Sequence, residues 1–456
     1  MKSLPVINPH AAGIAVGSEK LHTSIAGDEP VVFGTFTNEV YRLRDHFLKE
    51  GVKTVALEAT GVYWLYVFEV LETAGIEVVM VNGRAVRNLP GRKTDMADCQ
   101  WIATLHAHGL LRSGFVPTAE IRRLQDYMRL RADHVMGAAS QVQRMQKALE
   151  RMNIKFHDVI SDLTGVSGQK VIEAILAGER DPEHLLDLCD EQIKKKKRER
   201  LIESLRGTWR EEHLFTLGQA VAAWKFYQGL LVECDRQVER VLKGLAEQSP
   251  PPNPGANGPS SPKPEAAKRQ SKNAPQIDDL HELLKQVCGG RDVTAVAGIA
   301  DGLLVQLIAE TGTDMSAWKT EKDFTSWLGL SPGTAQSGKR KGLVKRQCNR
   351  AGRLFRLGAR SLARTVDKAL GGFFRRLKKA KGGLVATKAV ARKIALLYYR
   401  TLKHGLAYVE KGLRQYEMQY EESQRRLLAK LAAKQGFKLM SIEAEKLQAA
   451  LKTTKS

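Results

Sequence analysis

The chain is expected to be of the α/β plus α class: a small mixed N-terminal domain followed by a long, mainly helical remainder. Three features carry this expectation. Short β-rich runs and helical stretches alternate up to about residue 112. Beyond Pro117 the apolar residues switch to a heptad spacing. A proline-rich break at 249–276 then precedes a basic, helical final third. A chain of 456 residues has room for two or three such domains, each with a core of its own.

In the first domain, 1–117, β-rich runs fall at 12–16, 20–26, 31–36, 54–57 and 77–81, and helical stretches at 39–49 and 63–73 separate the last three. Three strands joined by short turns, then alternating helix and strand, is the order of an RNase H-like sheet; periodicity supports a small α/β domain without singling out that fold. Ile121, Leu124, Met128, Val135, Ala138, Val142, Met145, Leu149 and Met152 then keep a three-then-four spacing broken only by Arg131. This predicts a coiled-coil seam in a helical domain spanning 118–248. A second seam, Trp224, Tyr227, Leu231, Cys234, Val238, Val241 and Leu245, can pair with the first within one chain or across a dimer. Between them the basic run 194–200 (KKKKRER) reads equally as a solvated helix face or a nucleic-acid contact. Segment 249–276 holds more than half of the 15 prolines, with Gly, Ser and Asn, and is expected to be a disordered linker. A helical, basic domain at 277–412 and a charged helical tail at 413–456 complete the chain.

Composition narrows the function. Hydrophobic residues make up 43% of the chain, and no apolar run approaches the roughly 18 residues of a membrane span. The N-terminus, with Lys2 ahead of a short mixed stretch, does not read as a secretory signal, so a cytoplasmic protein without membrane contact is expected. The five cysteines (Cys99, Cys189, Cys234, Cys288, Cys348) contain no Cys-x-x-Cys pair, which argues against a disulfide framework and a zinc finger. The eleven histidines contain no His-x-x-x-His pair, and Trp64 and Trp101 read as core. Against 50 Asp and Glu stand 72 Lys and Arg, a net charge of +22 that favours a polyanionic partner through counterion release. Ribosomal and membrane-surface proteins share such a balance.

Metal-dependent phosphodiester chemistry needs several carboxylates converging on Mg²⁺, because packed carboxylates repel one another until a divalent cation neutralises them. Three candidates stand at suitable places. Glu58 follows the apolar run 55–57 in LEATGVYW, and Asp95 and Asp98 in KTDMAD lie three apart at a helix start, on one face. Each has an ordinary alternative: Glu58 as a strand-end charge, and Thr94 or Asp95 with Asp98 as a helix cap.

The stretches NPHAAGIAVGSEKLH, LEATGVYW, GRKTDMADCQWIA and HGLLRSGFVP, in that order, closely resemble the N-terminal domain of the DEDD transposases, the bridge-RNA-guided recombinases of bacterial insertion sequences. In that family the first strand reads Gly-Ile-Asp-Val and its Asp is a metal ligand; here the residues are Gly13-Ile14-Ala15-Val16. The other three family carboxylates fall on Glu58, Asp95 and Asp98. Towards the C-terminus VAGIADGLLVQLIAETG resembles the family's helix-hairpin-helix-like segment and WLGLSPGTAQSGKRKG its transposase motif, followed in order by AGRLFRLGARSLAR and AVARKIALLYYRTLKHG. The resemblance leaves the middle of the chain and its tail unmatched. It implies a RuvC-like N-terminal domain and a serine nucleophile at Ser337, before the glycine of Ser-Gly-Lys. Ala297 and Ala300 depart from the family's usual proline and second glycine, while Gly298 and Gly302 keep a turn whose amides can hold phosphate. Ala15 is the larger departure, since a methyl group cannot ligate a hard cation. In an otherwise intact motif set it points to an inactivating substitution that traps a substrate complex.

The resemblance implies a mechanism. Ser337 attacks a DNA phosphodiester and forms a phosphoserine link, helped by Mg²⁺ on Glu58, Asp95, Asp98 and the aspartate missing at position 15. Lys339, Arg340 and Lys341 are placed to grip nearby phosphates, or form a solvated loop. A guide (bridge) RNA pairs with donor and target DNA, and carboxylates of one protomer meet the serine of another in a dimer or tetramer, with the heptad seams as joints. Two other readings are a metal-dependent junction nuclease that uses water and a non-catalytic RNA or DNA scaffold.

Overall fold

The structure, a computed structural model, describes residues 5–58, 61–81, 94–249, 273–332, 335–337, 340–342, 347–365 and 369–437. It divides into two compact units, Met1–Val116 and Pro117–Ser456.

The first unit is built on a five-stranded sheet: β1 (Ala11–Val16), β2 (Lys20–Ile25), β3 (Val31–Gly34), β4 (Thr54–Glu58) and β5 (Glu77–Val81). Helices α1 (Thr37–Lys49) and α2 (Trp64–Thr73) connect the last three strands, and α3 (Asp95–Ala107) follows the sheet. The spatial order is β3-β2-β1-β4-β5, with β1–β2 and β2–β3 antiparallel and β1–β4 and β4–β5 parallel. This order is consistent with an RNase H-like start. Side chains alternate across the sheet, and the alternation sorts the core. Ala12, Ile14, Val16, Val55, Leu57 and Met80 pack with Val40, Leu43 and Phe47 of α1 and Phe68 and Leu71 of α2. The opposite face belongs to α3. Thr54 Oγ1 meets His106 Nε2 at 2.9 Å, and Ala56 packs with Ile102. Burial holds the His106 imidazolium unfavourable and lowers its pKa.

Gly13 lets α3 sit this close. A Cβ there would lie 2.3 Å from the Ala103 amide nitrogen and 2.6 Å from the Cys99 carbonyl oxygen. Both obstacles are backbone, so Gly13→Ala is expected to lift the helix off the sheet and destabilise the unit by about 1–3 kcal/mol, the usual range for overpacking. Chemical denaturation of the chain followed by Trp64 and Trp101 fluorescence checks this; a change below about 0.5 kcal/mol would mean that α3 is free to shift.

The second unit is mainly helical: α4 (Ala119–Arg151), α5 (Phe156–Val159), α6 (Val166–Leu176), α7 (Pro182–Asp187), α8 (Glu191–Leu205) and α9 (Glu211–Gln248). Beyond the break come α10 (Leu280–Val287), α11 (Asp301–Thr311), α12 (Glu321–Trp327), α13 (Arg350–Ser361), α14 (Ala369–Lys381), α15 (Gly383–His404) and α16 (Leu406–Lys434). The two predicted seams meet within the chain. Gly137 on α4 faces the ring of Tyr227 on α9, Leu124, Met128, Ala138 and Met145 are buried, and Val135 and Val142 are half-buried. This intrachain pairing removes the sequence-based reason for assigning the seam to a joint between protomers. Arg131, the one break in the heptad, is buried and reaches Asp235 of α9, Nε to Oδ1 at 2.5 Å. The same guanidinium donates to the carbonyls of Asn273 and Ala274, at 2.8 and 3.1 Å, and Asp235 accepts from the Gln276 amide at 2.9 Å. Residues 273–276 are therefore held, while the rest of the predicted linker, from Pro250 on, lies outside the described residues. So does the tail beyond Phe437.

Glu310, near the end of α11, ties three helices. It accepts from Gln125 and Arg129 of α4 and pairs with Arg350 of α13. Among the described residues no helix is long and apolar enough to cross a membrane.

Candidate active site

Position 15 lies on the α3 face of β1, because it is two residues from Gly13 and strand side chains alternate. Glu58 shares that face. The β1–β4 register runs Ala11↔Thr54, Ala12↔Val55, Gly13↔Ala56 and Ile14↔Leu57, and its next step sets Ala15 beside Glu58. Neighbouring strands lie about 4.8 Å apart, so side chains at these two positions are adjacent. Both are buried, Ala15 at 5% exposure and Glu58 at 6%.

Helix α3 runs over this face in the opposite direction. From Thr54–His106 and Ala56–Ile102, each step of two strand residues, about 6.6 Å, matches one of four helix residues, about 6 Å. The next step brings Glu58 to the level of Asp98. Thr94 caps the helix, its side chain accepting from the Ala97 amide, which leaves Asp95 and Asp98 in the first turn. Asp95 is exposed, and its Oδ2 lies 4.0 Å from His22 Nδ1. His22 sits on β2 directly across from Ala15. Sequence reasoning missed it, although the β1–β2 hairpin alternation puts it on the same face.

Three carboxylates and a histidine thus share one end of the sheet. They do not form a closed cage. Among the described residues, the group of three potential ligands with donor atoms within 4.8 Å of each other is Glu150, His157 and Asp158, where Lys155 also pairs with Glu150.

In the second unit Ser337 ends the first strand of a two-stranded hairpin. The strands β6 (Ala335–Ser337) and β7 (Arg340–Gly342) pair antiparallel, Ala335↔Gly342, Gln336↔Lys341 and Ser337↔Arg340, with only Gly338 and Lys339 between the last pair. Lys339 lies outside the described residues. The described residues on either side of the hairpin in sequence pack closely together. A Cβ at Gly329 would meet the Gln347 carbonyl at 2.4 Å, Asn349 Nδ2 donates to the Trp327 carbonyl at 3.2 Å, and Cys348 Sγ lies 3.5 Å from the Gly329 carbonyl. Gly298 has φ +94°, and a Cβ on it would meet the Gly358 carbonyl of α13 at 3.0 Å, so packing alone requires this glycine. Gly302, in the first turn of α11, lies against Ala274 and Pro275.

Acidic side chains at the end of β4 and in the first turn of α3, on a sheet whose order is consistent with an RNase H-like start, in one chain with a basic helical region, suit a nucleic-acid-processing enzyme. Residues 12–154 match the family model of the DEDD transposases of the IS110 group, and residues 291–370 match that of the transposase IS116/IS110/IS902 family. The chain belongs to this transposase family and is a DNA transposase. The first match contains position 15, Glu58, Asp95 and Asp98; the second contains Ser337 and the basic residues beside it. No curated protein matches the chain.

Proposed function

We propose that the protein is an RNA-guided DNA recombinase of an insertion sequence, that Ser337 is its nucleophile, and that alanine at position 15 impairs it. The observation that carries this reading is the common face of positions 15, 58 and 98, where an aspartate at position 15 would stand beside Glu58. The donor set, hard carboxylate oxygens, fits Mg²⁺ on Glu58, Asp95, Asp98 and a restored Asp at position 15. A bound divalent cation supplies charge neutralisation at the phosphate and activation of a hydroxyl.

The protein's own groups do the rest. Ser337 Oγ bonds to phosphorus as the bond from phosphorus to the neighbouring sugar oxygen breaks. The serine proton leaves to solvent base, and the released sugar oxygen takes one up. One phosphodiester replaces another, so the strand can be passed on without ATP. Lys339, Arg340 and Lys341 grip phosphates beside the attacked bond, and the amides at Gly298 and Gly302 offer further donors. A bridge RNA selects donor and target DNA by pairing, and the protein holds shape and backbone. The active unit is a homo-oligomer, dimer or tetramer, that brings the carboxylates of one protomer to Ser337 of another.

The test uses the chain carrying Ala15→Asp with labelled DNA on denaturing gels. A protein–DNA adduct is expected, and adding Ser337→Ala should abolish it while leaving RNA binding within about twofold, since one oxygen and no charge is removed. An adduct that survives moves the nucleophile elsewhere, and cleavage without any adduct favours a nuclease that uses water. Sequencing RNA that copurifies with the chain tests the guide.

A further inference from the structure

The attack at Ser337 leaves most of the protein's charge unassigned. Residues 324–409 contain 21 lysines and arginines and one acid, Asp367, so this segment carries nearly all of the formal +22. On α13 the charge is ordered. The inward side of this helix is Ala351, Gly352, Phe355, Gly358 and Ala359. Gly352 and Gly358 approach the carbonyls of Leu328 and Gly298 so closely that a Cβ would come within 2.2 and 2.5 Å of them. On the outer side Arg353, Arg356 and Arg360 recur at three- and four-residue spacing, and Arg364 extends the row in the 3₁₀ turn Leu362–Arg364.

This row is uncompensated. Like charges at such spacing oppose helix formation, and helices usually relieve them with acids three or four residues away. Here Arg350 is paired with Glu310, but none of the other four forms a salt bridge among the described residues. Arg356 Nε is buried without a hydrogen-bond partner. All five cations of the helix and its closing turn are arginine, whose planar fork binds phosphate through two donors.

We propose that the arginine row Arg353–Arg356–Arg360–Arg364 seats the sugar–phosphate backbone of the DNA strand next to the bond that Ser337 attacks. The residues that bracket the hairpin in sequence, Gly329 before it and Gln347, Cys348 and Asn349 after it, pack against one another, and the later three run directly into the first turn of α13. From Arg353 to Arg364 the row runs about 17 Å, and one DNA strand presents a phosphate every 3.4 Å or so of duplex axis, about five in that length. Four guanidiniums against about five phosphates is near one-to-one.

This inference rests on the transposase reading with Ser337 as nucleophile, and its test separates the two. The full chain carrying Ser337→Ala, which cannot react, is titrated with fluorescent duplex DNA and separately with RNA over a range of salt. Neutralising Arg353, Arg360 and Arg364 together to glutamine should lower the slope of log K against log salt for DNA by about three, close to one per lost phosphate contact. Arg356, which is partly buried, is left in place. The same number of charges removed from α8, as Lys195→Gln, Arg198→Gln and Arg200→Gln, should change the slope by less than one. An unchanged DNA slope in the α13 variant, an equal loss in the α8 variant, or a loss seen with RNA and not with DNA overturns the proposal. If the intact serine forms no adduct in the Ala15→Asp chain, the nucleophile assignment fails while the slope still reports on the row.

Discussion

Ala15→Asp is expected to raise strand exchange by roughly 10²- to 10⁴-fold, the weight of several kcal/mol of metal-assisted stabilisation. The physical basis is the register that places position 15 beside the buried Glu58, with Asp98 one helix step above. A second carboxylate at this spot repels the first when no cation is present. Ala15→Asp should therefore lower the melting temperature of the N-terminal unit in chelator and raise it in millimolar Mg²⁺, because a ligand that binds only the folded form stabilises it. The Ala15 chain should show little response to Mg²⁺. Differential scanning calorimetry reads this directly, without any recombination assay. Robust recombination by the Ala15 chain in Mg²⁺ would refute the assignment of position 15 as a ligand, and a melting curve for Ala15→Asp indifferent to Mg²⁺ would detach the carboxylates from metal altogether.

Removing Asp235 is expected to cost the helical unit about 3–5 kcal/mol, the range for leaving one member of a buried ion pair uncompensated. Arg131 and Asp235 are 7% and 4% exposed, and the pair sits where the heptad of α4 would otherwise place an apolar residue. Asp235→Ala strands the guanidinium and also takes the acceptor from the Gln276 amide. Asp235→Asn keeps one acceptor and should cost less. Replacing both partners by apolar residues should recover part of the loss, as such pairs commonly exchange for hydrophobic contacts at little net cost. Urea unfolding followed by Trp209 and Trp224 emission distinguishes these outcomes; a loss under about 1 kcal/mol for Asp235→Ala would mean that water reaches Arg131 in its place.

The sheet was legible because its alternation is strong. The run at 77–81 coincides with β5, and those at 12–16 and 54–57 fall one residue short of β1 and β4. The run at 31–36 overshoots, because Phe36 looks like a strand residue yet stands 84% exposed as the residue preceding α1. The seams were legible as seams, but spacing alone does not say which helix answers which, and Arg131 looks like a defect until Asp235, 104 positions away, is seen against it. The carboxylates could be named one by one; their common face follows from β1–β4 pairing, which local pattern does not contain. The Ser337 hairpin did carry a local signal, a glycine in a two-residue connection between basic and polar residues, which a motif-centred reading passes over.

The clamp on residues 273–276 also bears on how the molecule tolerates change. Ser249 Oγ, at the end of α9, donates to the Leu245 and Val287 carbonyls, so both edges of the proline-rich segment are fastened to the same helical unit. Joining two fixed points of a chain becomes only about 0.6 kcal/mol harder with each doubling of the number of residues between them. With Ser249 and residues 273–276 both anchored on this helical unit, a change in the number of residues between them is expected to leave that packing in place, which makes positions 250–272 a suitable graft point for a reporter or an added domain.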